Sequence, residues 1–323
     1  MAHVRFTHLL NPFTAKPGTE HDIAQRMTFQ ALRNAQEESG RHGLGVEVLA
    51  LVEPRDLPSV EAPARAVPAI TRTIQDVHPM TPPRTFPLVA DLLNAAHEHG
   101  RGDYIVFTNV DISPQPFLYR VLDDLMRRDP SRAVIVNRRT IPKVTSEPAQ
   151  ISLAYQHPGK SHHGHDCFVF PRAWIPQLIL NDVCIGAPWW DYALLANLDA
   201  LSGFRMFTYL HQRLTFHLGD DRAWTALSEY DVFNQKQVLG VIEALEQRHG
   251  KAPADSRFAW VAQRTRQQPA SQRTLAIKVK RKLRALHELT VLMRARGMAK
   301  GSPFYSGTEY VPPAAPPQAV VAG

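Results

Sequence analysis

The sequence predicts an α/β fold in which a mostly parallel sheet is flanked by helices. Short apolar runs of strand length alternate with longer segments whose apolar residues recur at helical spacing. The most apolar run, residues 104–108, stops on the polar residues Asn109 and Asp111. Such a run is typical of a strand buried on both faces of a parallel sheet. With 44% hydrophobic residues, the 323-residue chain can bury a full core around it.

The elements are predicted in the order that such a sheet needs. Residues 4–10 form a first strand, and residues 23–38 a first helix that two glycines close. Further strands are predicted at 46–52, 66–70, 104–108, 133–137, 167–170 and 205–209, and helices at 88–97, 117–127, 174–180, 192–200 and 229–248, the last capped by Ser228. The Pro-rich residues 53–87 and the polar residues 138–165 are predicted to be loops.

Charge is distributed unevenly along the chain. The formal net charge is +7, yet residues 264–300 alone contain eleven Lys or Arg residues against one Glu. Residues 1–263 hold 26 basic and 28 acidic side chains, so the body is near neutral. A basic segment appended to a neutral body argues against a nucleic-acid-binding core. Nucleic acid is therefore an unlikely partner.

The basic segment leaves two partners open. Residues 275–293 place an apolar stripe along a predicted helix, with Lys and Arg across the rest. Residues 273–296 could lie on an anionic membrane surface or bind nucleic acid; alternatively, the helix only packs on the body by its stripe. We favour the membrane surface. The Pro- and Ala-rich residues 301–323 are predicted to be disordered.

Cysteine content and hydropathy indicate the compartment. Two cysteines do not suggest a disulfide framework, and no run of apolar residues approaches the length of a membrane span. The residues 1–13 lack the pattern of a signal peptide. We expect a cytoplasmic protein that can associate peripherally with the inner face of a membrane.

The polar end of strand 104–108 is the first candidate site. In open α/β sheets, ligands bind beyond the carboxyl ends of the strands, and a carboxylate there can hold a divalent cation against a phosphate. No glycine-rich phosphate loop follows the first strand, so another device must neutralise phosphate charge. Alternatively, Asn109 and Asp111 only form a turn before Ser113 and Pro114.

The segment LVADLLNAAHEHGRGDYIVFTNVDI resembles the corresponding part of glycosyltransferases with the GT-A fold, family-2-like members among them. In that fold an Asp-x-Asp motif binds Mn²⁺ or Mg²⁺ on the diphosphate of a nucleotide-sugar. The resemblance implies that Asp111 holds the cation. Asn109 stands where the first Asp would be, and its amide oxygen would contact the cation or the ribose.

Two further motifs match the same layout. In the sequence GAPWWD, the resemblance implies that Asp191 is the base that deprotonates the acceptor, and that Trp189 and Trp190 stack on sugar faces. In TFHLGDDRAW, it implies that His217 is a further metal ligand and that Arg222 contacts the pyrophosphate. Structural interpretations remain: Asp191 caps its helix, the tryptophans belong to the core, and His217 is a structural histidine.

The segment SHHGHD at residues 161–166 is the richest in histidine. A zinc site is one interpretation, although its spacing is unusual for zinc. We favour a loop on the acceptor side in which Asp166 bonds sugar hydroxyls. A solvated loop without a role also remains open.

The sequence therefore predicts a metal-assisted, inverting glycosyltransferase that uses a nucleotide-sugar donor and a glycan, lipid-linked or other hydroxyl acceptor. Residues 1–225 would form the catalytic domain, with a nucleotide half up to 112 and an acceptor half from 113. Residues 226–300 would be a helical extension. A non-catalytic nucleotide- or glycan-binding protein of the same fold is the alternative, and a sugar nucleotidyltransferase is less favoured because the first strand lacks its glycine-rich loop.

Overall fold

A computed structural model describes residues 5–162, 164–209, 213–219 and 228–267, and all of these belong to one compact unit. The basic segment 273–296, the tail 301–323 and Arg222 lie outside the described residues.

The described elements alternate as the sequence predicted, which confirms the fold class. The strands are β1 (Arg5–Leu10), β2 (Gly45–Leu51), β3 (Arg65–Val67), β4 (Tyr104–Thr108), β5 (Ile112–Pro114), β6 (Val134–Val136), β7 (Arg138–Ile141), β8 (Lys160–Ser161), β9 (Cys167–Pro171), β10 (Phe207–Tyr209) and β11 (Thr215–Leu218). The helices are α1 (Glu20–Arg41), α2 (Ile74–Val77), α3 (Val89–His99), α4 (Leu118–Arg128), α5 (Ile151–Gln156), α6 (Trp190–Leu201), α7 (Ser228–His249) and α8 (Arg257–Gln267).

Seven strands form the main sheet in the order β10-β6-β9-β4-β1-β2-β3. β1 pairs in parallel with both β2 and β4, so the order reverses between β1 and β4. β9 is antiparallel to both of its neighbours, β4 and β6. All five residues of β4 are buried, as predicted from their apolar character. The reversal between β1 and β4 is the position at which open α/β sheets bind ligands.

The prediction that residues 138–165 form a loop is wrong. β7 and β8 belong to a second sheet of order β5-β11-β7-β8, and α5 lies between them along the chain. Arg139 is 4% exposed, and its guanidinium donates hydrogen bonds to the carbonyls of Arg213, Ala154 and Tyr155. Because these carbonyl groups accept its hydrogen bonds, Arg139 can be buried. A polar residue therefore occupies an inward-facing position of β7, which is why the sequence looked like a loop.

Two other segments differ in detail from the prediction. Residues 172–177 form a 3₁₀ helix, because Pro176 inside it cannot continue an α-helical hydrogen-bond ladder. The Pro-rich residues 53–87 contain β3, which overlaps the strand predicted at 66–70, and two short elements that were not predicted, a 3₁₀ helix at 54–59 and α2.

The helices α7 and α8 pack on α6 and share the largest core cluster with the main sheet. Val241 and Ile242 of α7 and Val261 of α8 are fully buried in the same cluster as Phe107 of β4 and Leu194 of α6. Among the described residues, no helix combines the length and the apolar character that crossing a membrane requires.

A buried histidine joins β1 to β4 and to α4. His8 is fully buried; its Nδ1 lies 2.7 Å from the hydroxyl of Tyr119, and its Nε2 lies 2.9 Å from Oγ1 of Thr108. Burial lowers the pKa of His8 to about 3, so the ring stays neutral in the folded protein at ordinary pH.

This shift makes the stability of the protein depend on pH. The unfolded chain takes up a proton at His8 below pH about 6.5, whereas the folded chain does so only near pH 3, so stability falls as the pH drops from about 6.5 toward 3. From pH 7.5 to 5, we expect His8→Gln to lose about 2 kcal/mol less unfolding free energy than the wild type. Urea denaturation at both pH values measures this difference. The exposed His78→Gln should retain the wild-type difference, and equal losses in the wild type and His8→Gln would contradict the prediction.

Candidate active site at the carboxyl edge of the sheet

Three strands bring polar residues to one edge of the main sheet. Because β9 runs antiparallel, its first residue, Cys167, pairs with Thr108 at the carboxyl end of β4 and with Val136 at the carboxyl end of β6. The residues that follow β4 and β6 therefore lie beside the residues that precede β9. These three chain segments contain residues 109–111, 137–138 and 165–166.

The second sheet adds His217 to this edge. In the pairing of β11 with β5, His217 lies opposite Ile112, the residue after Asp111. His217 Nε2 is 3.1 Å from Oδ2 of Asp111. The sequence placed His217 after the last strand, but it lies within β11. The expected neighbourhood of Asp111 and His217 is nevertheless present.

Asp111 and His217 shift each other's protonation. Burial alone would raise the pKa of Asp111, but the charge and hydrogen bond of His217, with smaller effects of Arg138 and His21, hold it well below its usual range. Burial alone would lower the pKa of His217, but the adjacent carboxylate raises it. The two side chains therefore favour a charged pair, an anionic oxygen beside an imidazolium.

The donor set of this pair suits a divalent cation. His217 Nδ1 lies 2.9 Å from the carbonyl oxygen of Gly219, which can only accept, so Nδ1 carries a proton, and Nε2 can serve as a ligand once a cation displaces the proton that it shares with Asp111. Oδ1 of Asp111 is buried without a hydrogen-bond partner among the described residues. Carboxylate oxygen and imidazole nitrogen are both ligands of Mn²⁺. Within the described part of the chain, no group of three or more His, Cys, Asp and Glu side chains is arranged as a metal site.

Asn109 lies directly after β4 and is partly buried. Its backbone carbonyl accepts the N–H of Ile112 at 3.1 Å, so residues 109–112 form the turn that the structural interpretation required. The same turn places Asp111 beside His217, so the formation of a turn by residues 109–112 does not exclude a site at Asp111.

Arg138 and Asp166 form a second charged pair at the edge. Arg138 Nε is 3.4 Å from Oδ2 of Asp166, and both side chains are nearly buried, at 14% and 10% exposed. Nη2 of Arg138 lies 3.5 Å from His162 Nε2. The sequence suggested sugar hydroxyls as partners of Asp166, whereas the structure gives it Arg138.

His165, the residue before Asp166, belongs to a third pair. His165 Nδ1 is 3.1 Å from Oδ2 of Asp191, with the two side chains 8% and 20% exposed. Asp191 is the second residue of α6, as predicted, but the cap position is Trp189, which makes no side-chain capping bond. Asp191 therefore accepts from His165 instead of capping its own helix. His162 and His165 contact different partners, Arg138 and Asp191, so they do not point to a shared ion.

Trp189 and Trp190 lie in the core and not on a sugar-binding surface. They are 1% and 7% exposed, and Trp190 packs against Phe107 and Phe168 with ring centroids 5.5 Å apart. The indole N–H of Trp189 donates to Asp231 of α7. The expectation that these rings stack on sugars is corrected, because both rings are buried in the core.

His165 and Arg138 are site residues that sequence reasoning did not select. Arg138 was one of several arginines near a predicted strand end, and His165 was one histidine of a cluster. Arg138 follows β6, and the carboxyl end of β6 lies at the same edge of the sheet as that of β4. The order of the strands would therefore have been enough to select Arg138. The pairing of His165 with Asp191 depends on tertiary packing and leaves no local pattern.

Solved glycosyltransferases are among the structures that this chain is similar to. No protein-family model and no curated protein sequence matches it. A mannosyltransferase from Pyrobaculum calidifontis, in complex with GDP-Man and Mn²⁺, is 16% identical at a TM-score of 0.46 and covers 94% of this chain and 82% of its own. Glucosyl-3-phosphoglycerate synthase from Mycobacterium tuberculosis, in complex with Mn²⁺, UDP and phosphoglyceric acid, is 15% identical at 0.43, covering 78% and 80%.

Staphylococcus aureus TarS residues 1–349, in complex with UDP-GlcNAc, is 8% identical at a TM-score of 0.41 and covers 75% of this chain and 71% of its own. At such TM-scores and identities, roles for individual residues rest on the geometry of this chain.

The position of Asp191 depends on α7. Asn234 of α7 is fully buried and donates to the carbonyls of Cys184 and Pro188, each at 2.9 Å, while accepting the N–H of Cys184 at 3.0 Å. It thereby fixes the segment leading to Trp189, whose φ of 76° is unusual for a bulky residue.

We expect Asn234→Ala to reduce the free energy of unfolding by about 2–4 kcal/mol, because three buried backbone groups lose their partner. Chemical denaturation measures this loss, and Asn94→Ala, at an exposed position of α3, should change it by no more than about 0.5 kcal/mol. Similar small effects for both variants would show that the segment does not depend on Asn234.

Proposed function

We propose that this protein is a glycosyltransferase that moves a sugar from a nucleotide-sugar donor to a hydroxyl group of an acceptor. The observation that carries the proposal is the arrangement of two carboxylate–imidazole pairs, Asp111–His217 and Asp191–His165, on residues that one sheet edge brings together. The Asp111–His217 pair could bind a cation, and the Asp191–His165 pair could accept a proton. Sugar transfer from a nucleotide-sugar uses both functions, one for the leaving diphosphate and one for the acceptor hydroxyl.

The Asp111 side serves the diphosphate. Asp111 and His217 would hold a divalent cation, which when bound neutralises the diphosphate and stabilises it as a leaving group. Arg138 lies close enough to lower the pKa of Asp111 and, besides pairing with Asp166, would offer its remaining N–H groups to phosphate oxygens. Asn109, after β4, would contact the cation or the ribose, and Arg222, outside the described residues, the pyrophosphate.

The Asp191 side serves the acceptor. Asp191 would take the proton of the acceptor hydroxyl as its oxygen forms a bond to the anomeric carbon. The bond between that carbon and the diphosphate oxygen breaks, and the diphosphate leaves with the electron pair. A single displacement of this kind inverts the anomeric centre. His165 donates to Oδ2 of Asp191, which orients the carboxylate and leaves Oδ1 to receive the proton.

A non-catalytic nucleotide- or glycan-binding protein is the second candidate. Asn109 favours it, because an amide replaces one negative charge that the related motif would offer to a cation. The two candidates differ in turnover, and only a nucleotide-binding protein would share donor binding with the transferase.

Removing Asp111 should weaken metal binding together with the donor binding that depends on the metal. We expect Asp111→Ala to weaken Mn²⁺ binding, and Mn²⁺-dependent binding of the preferred donor, by about tenfold or more, since a ligand and its charge are lost. Isothermal titration measures Mn²⁺ alone and then a panel of nucleotide-sugars with and without Mn²⁺. Asp124→Ala, an exposed carboxylate on α4, is the control. No binding of any donor to the wild type would refute the proposed function.

The role of Asp191 as the base can be tested with one variant of Asp191 and two variants of its partner, His165. We expect Asp191→Asn to reduce kcat by about 10²–10⁴-fold while the Kd of the donor stays unchanged. His165→Asn keeps an N–H donor near the position of Nδ1, whereas His165→Phe keeps only the ring. If the hydrogen bond orients Asp191, the Asn variant retains more kcat than the Phe variant in donor hydrolysis. The opposite order would assign His165 a packing role, and unchanged turnover in Asp191→Asn would remove Asp191 as the base.

A further inference from the structure

We propose that the face of α8 beside Asp191 is an acceptor subsite for a hydroxyl compound that carries an oxyanion, a phosphate or a carboxylate. The proposal rests on the proposed function for its role as an acceptor site. The binding of the oxyanion itself does not require turnover.

The subsite begins at the candidate base. His165, which binds Asp191, lies with its ring 6.0 Å from Trp260 of α8 and 6.3 Å from Tyr192 of α6, both in edge contacts. Tyr192 and Trp260 are 5.4 Å apart and only partly buried. Aromatic side chains are therefore present next to Asp191, but they are these two and not the buried Trp189 and Trp190.

Two guanidinium groups flank the partly buried ring of Trp260. Arg257 and Arg264 lie three residues before and four residues after Trp260, which places all three on one face of α8. Their guanidinium carbons are 5.5 and 5.6 Å from the centroid of the Trp260 ring. Arg264 Nε also donates to the hydroxyl of Tyr192 at 2.9 Å. These contacts hold two positive charges around one ring.

No carboxylate among the described residues forms an ion pair with either arginine. Asp199 is the acidic residue whose pKa Arg257 influences, but Asp199 is 1% exposed and accepts the N–H groups of Phe258 and Met206. On the same helix, Arg266 is paired with Glu246. The positive charge beside Trp260 is thus available to a ligand, whereas that of Arg266 is already matched.

This arrangement suits a bound oxyanion. Guanidinium groups bind phosphate and carboxylate oxygens through paired N–H donors, and partly buried rings reduce the competing solvation. An acceptor whose oxyanion lies at Arg257 and Arg264 would reach past His165 toward Asp191 with a hydroxyl group. The charge on the acceptor would then select it against neutral sugars.

The test measures binding of glucose 6-phosphate, glucuronate and neutral glucose to the full chain by isothermal titration, with and without UDP and Mn²⁺. The expected result is that at least one of the two anionic sugars binds and glucose does not in the same range. Arg257→Gln and Arg264→Gln should each weaken that binding by about tenfold or more, since each removes a charged donor. Arg266→Gln should leave it unchanged. The stronger of the two anions identifies the phosphate or the carboxylate.

Several outcomes would overturn the subsite. The first is that glucose binds as tightly as the anionic sugars, and the second is that Arg266→Gln weakens anion binding as much as the other two variants. The third is that neither anion binds, with or without UDP and Mn²⁺. The fourth is that Arg138→Gln weakens anion binding while Arg257→Gln and Arg264→Gln do not. The last outcome would place the anion at the diphosphate side. Failure of the transferase proposal is separate: no nucleotide-sugar would bind, while anion binding that depends on Arg257 and Arg264 would persist.

Discussion

The direction of β9 is the constraint on which the site depends. The other six strands of the main sheet all run in one direction. Because β9 runs against β4 and β6, its amino end lies at their carboxyl ends, and residues before β9 meet residues after its neighbours. A parallel strand in that position would have placed His165 and Asp166 at the opposite edge of the sheet.

The charged side chains at this edge lie in pairs, and in the two carboxylate–imidazole pairs the imidazole contacts only one of the two carboxylate oxygens. Asp111 has a buried oxygen without a partner among the described residues, and Asp191 uses one oxygen for His165 while its side chain remains 20% exposed. Structural ion pairs in a core are usually saturated with hydrogen bonds, since an unmatched buried oxygen costs free energy. Incomplete pairs at a strand edge are more readily explained by a ligand that completes them.

Sequence reasoning succeeded where one element determined the answer. The buried character of β4 followed from five consecutive residues, and the strand–helix alternation predicted the parallel sheet. It failed where a residue's environment comes from distant parts of the chain. Arg139 looked like surface in a polar segment because its three carbonyl partners lie 15 to 74 residues away. His165 and Asp191, 26 residues apart, could each be named as polar, but their contact is a product of folding.

The same limit explains Trp189, whose indole N–H donates to Asp231 of α7, and the segment before it, where the carbonyl of Pro188 accepts from Asn234; both partners lie more than 40 residues downstream. This has a consequence for dissecting the protein. A fragment that ends near residue 225 would contain every candidate residue of the main sheet, yet it would lack the side chains that secure residues 184–189 and the aromatic ring that contacts His165. The smallest piece able to keep Asp191 in place therefore has to extend through α8, although α7 and α8 contribute no strand to the sheet.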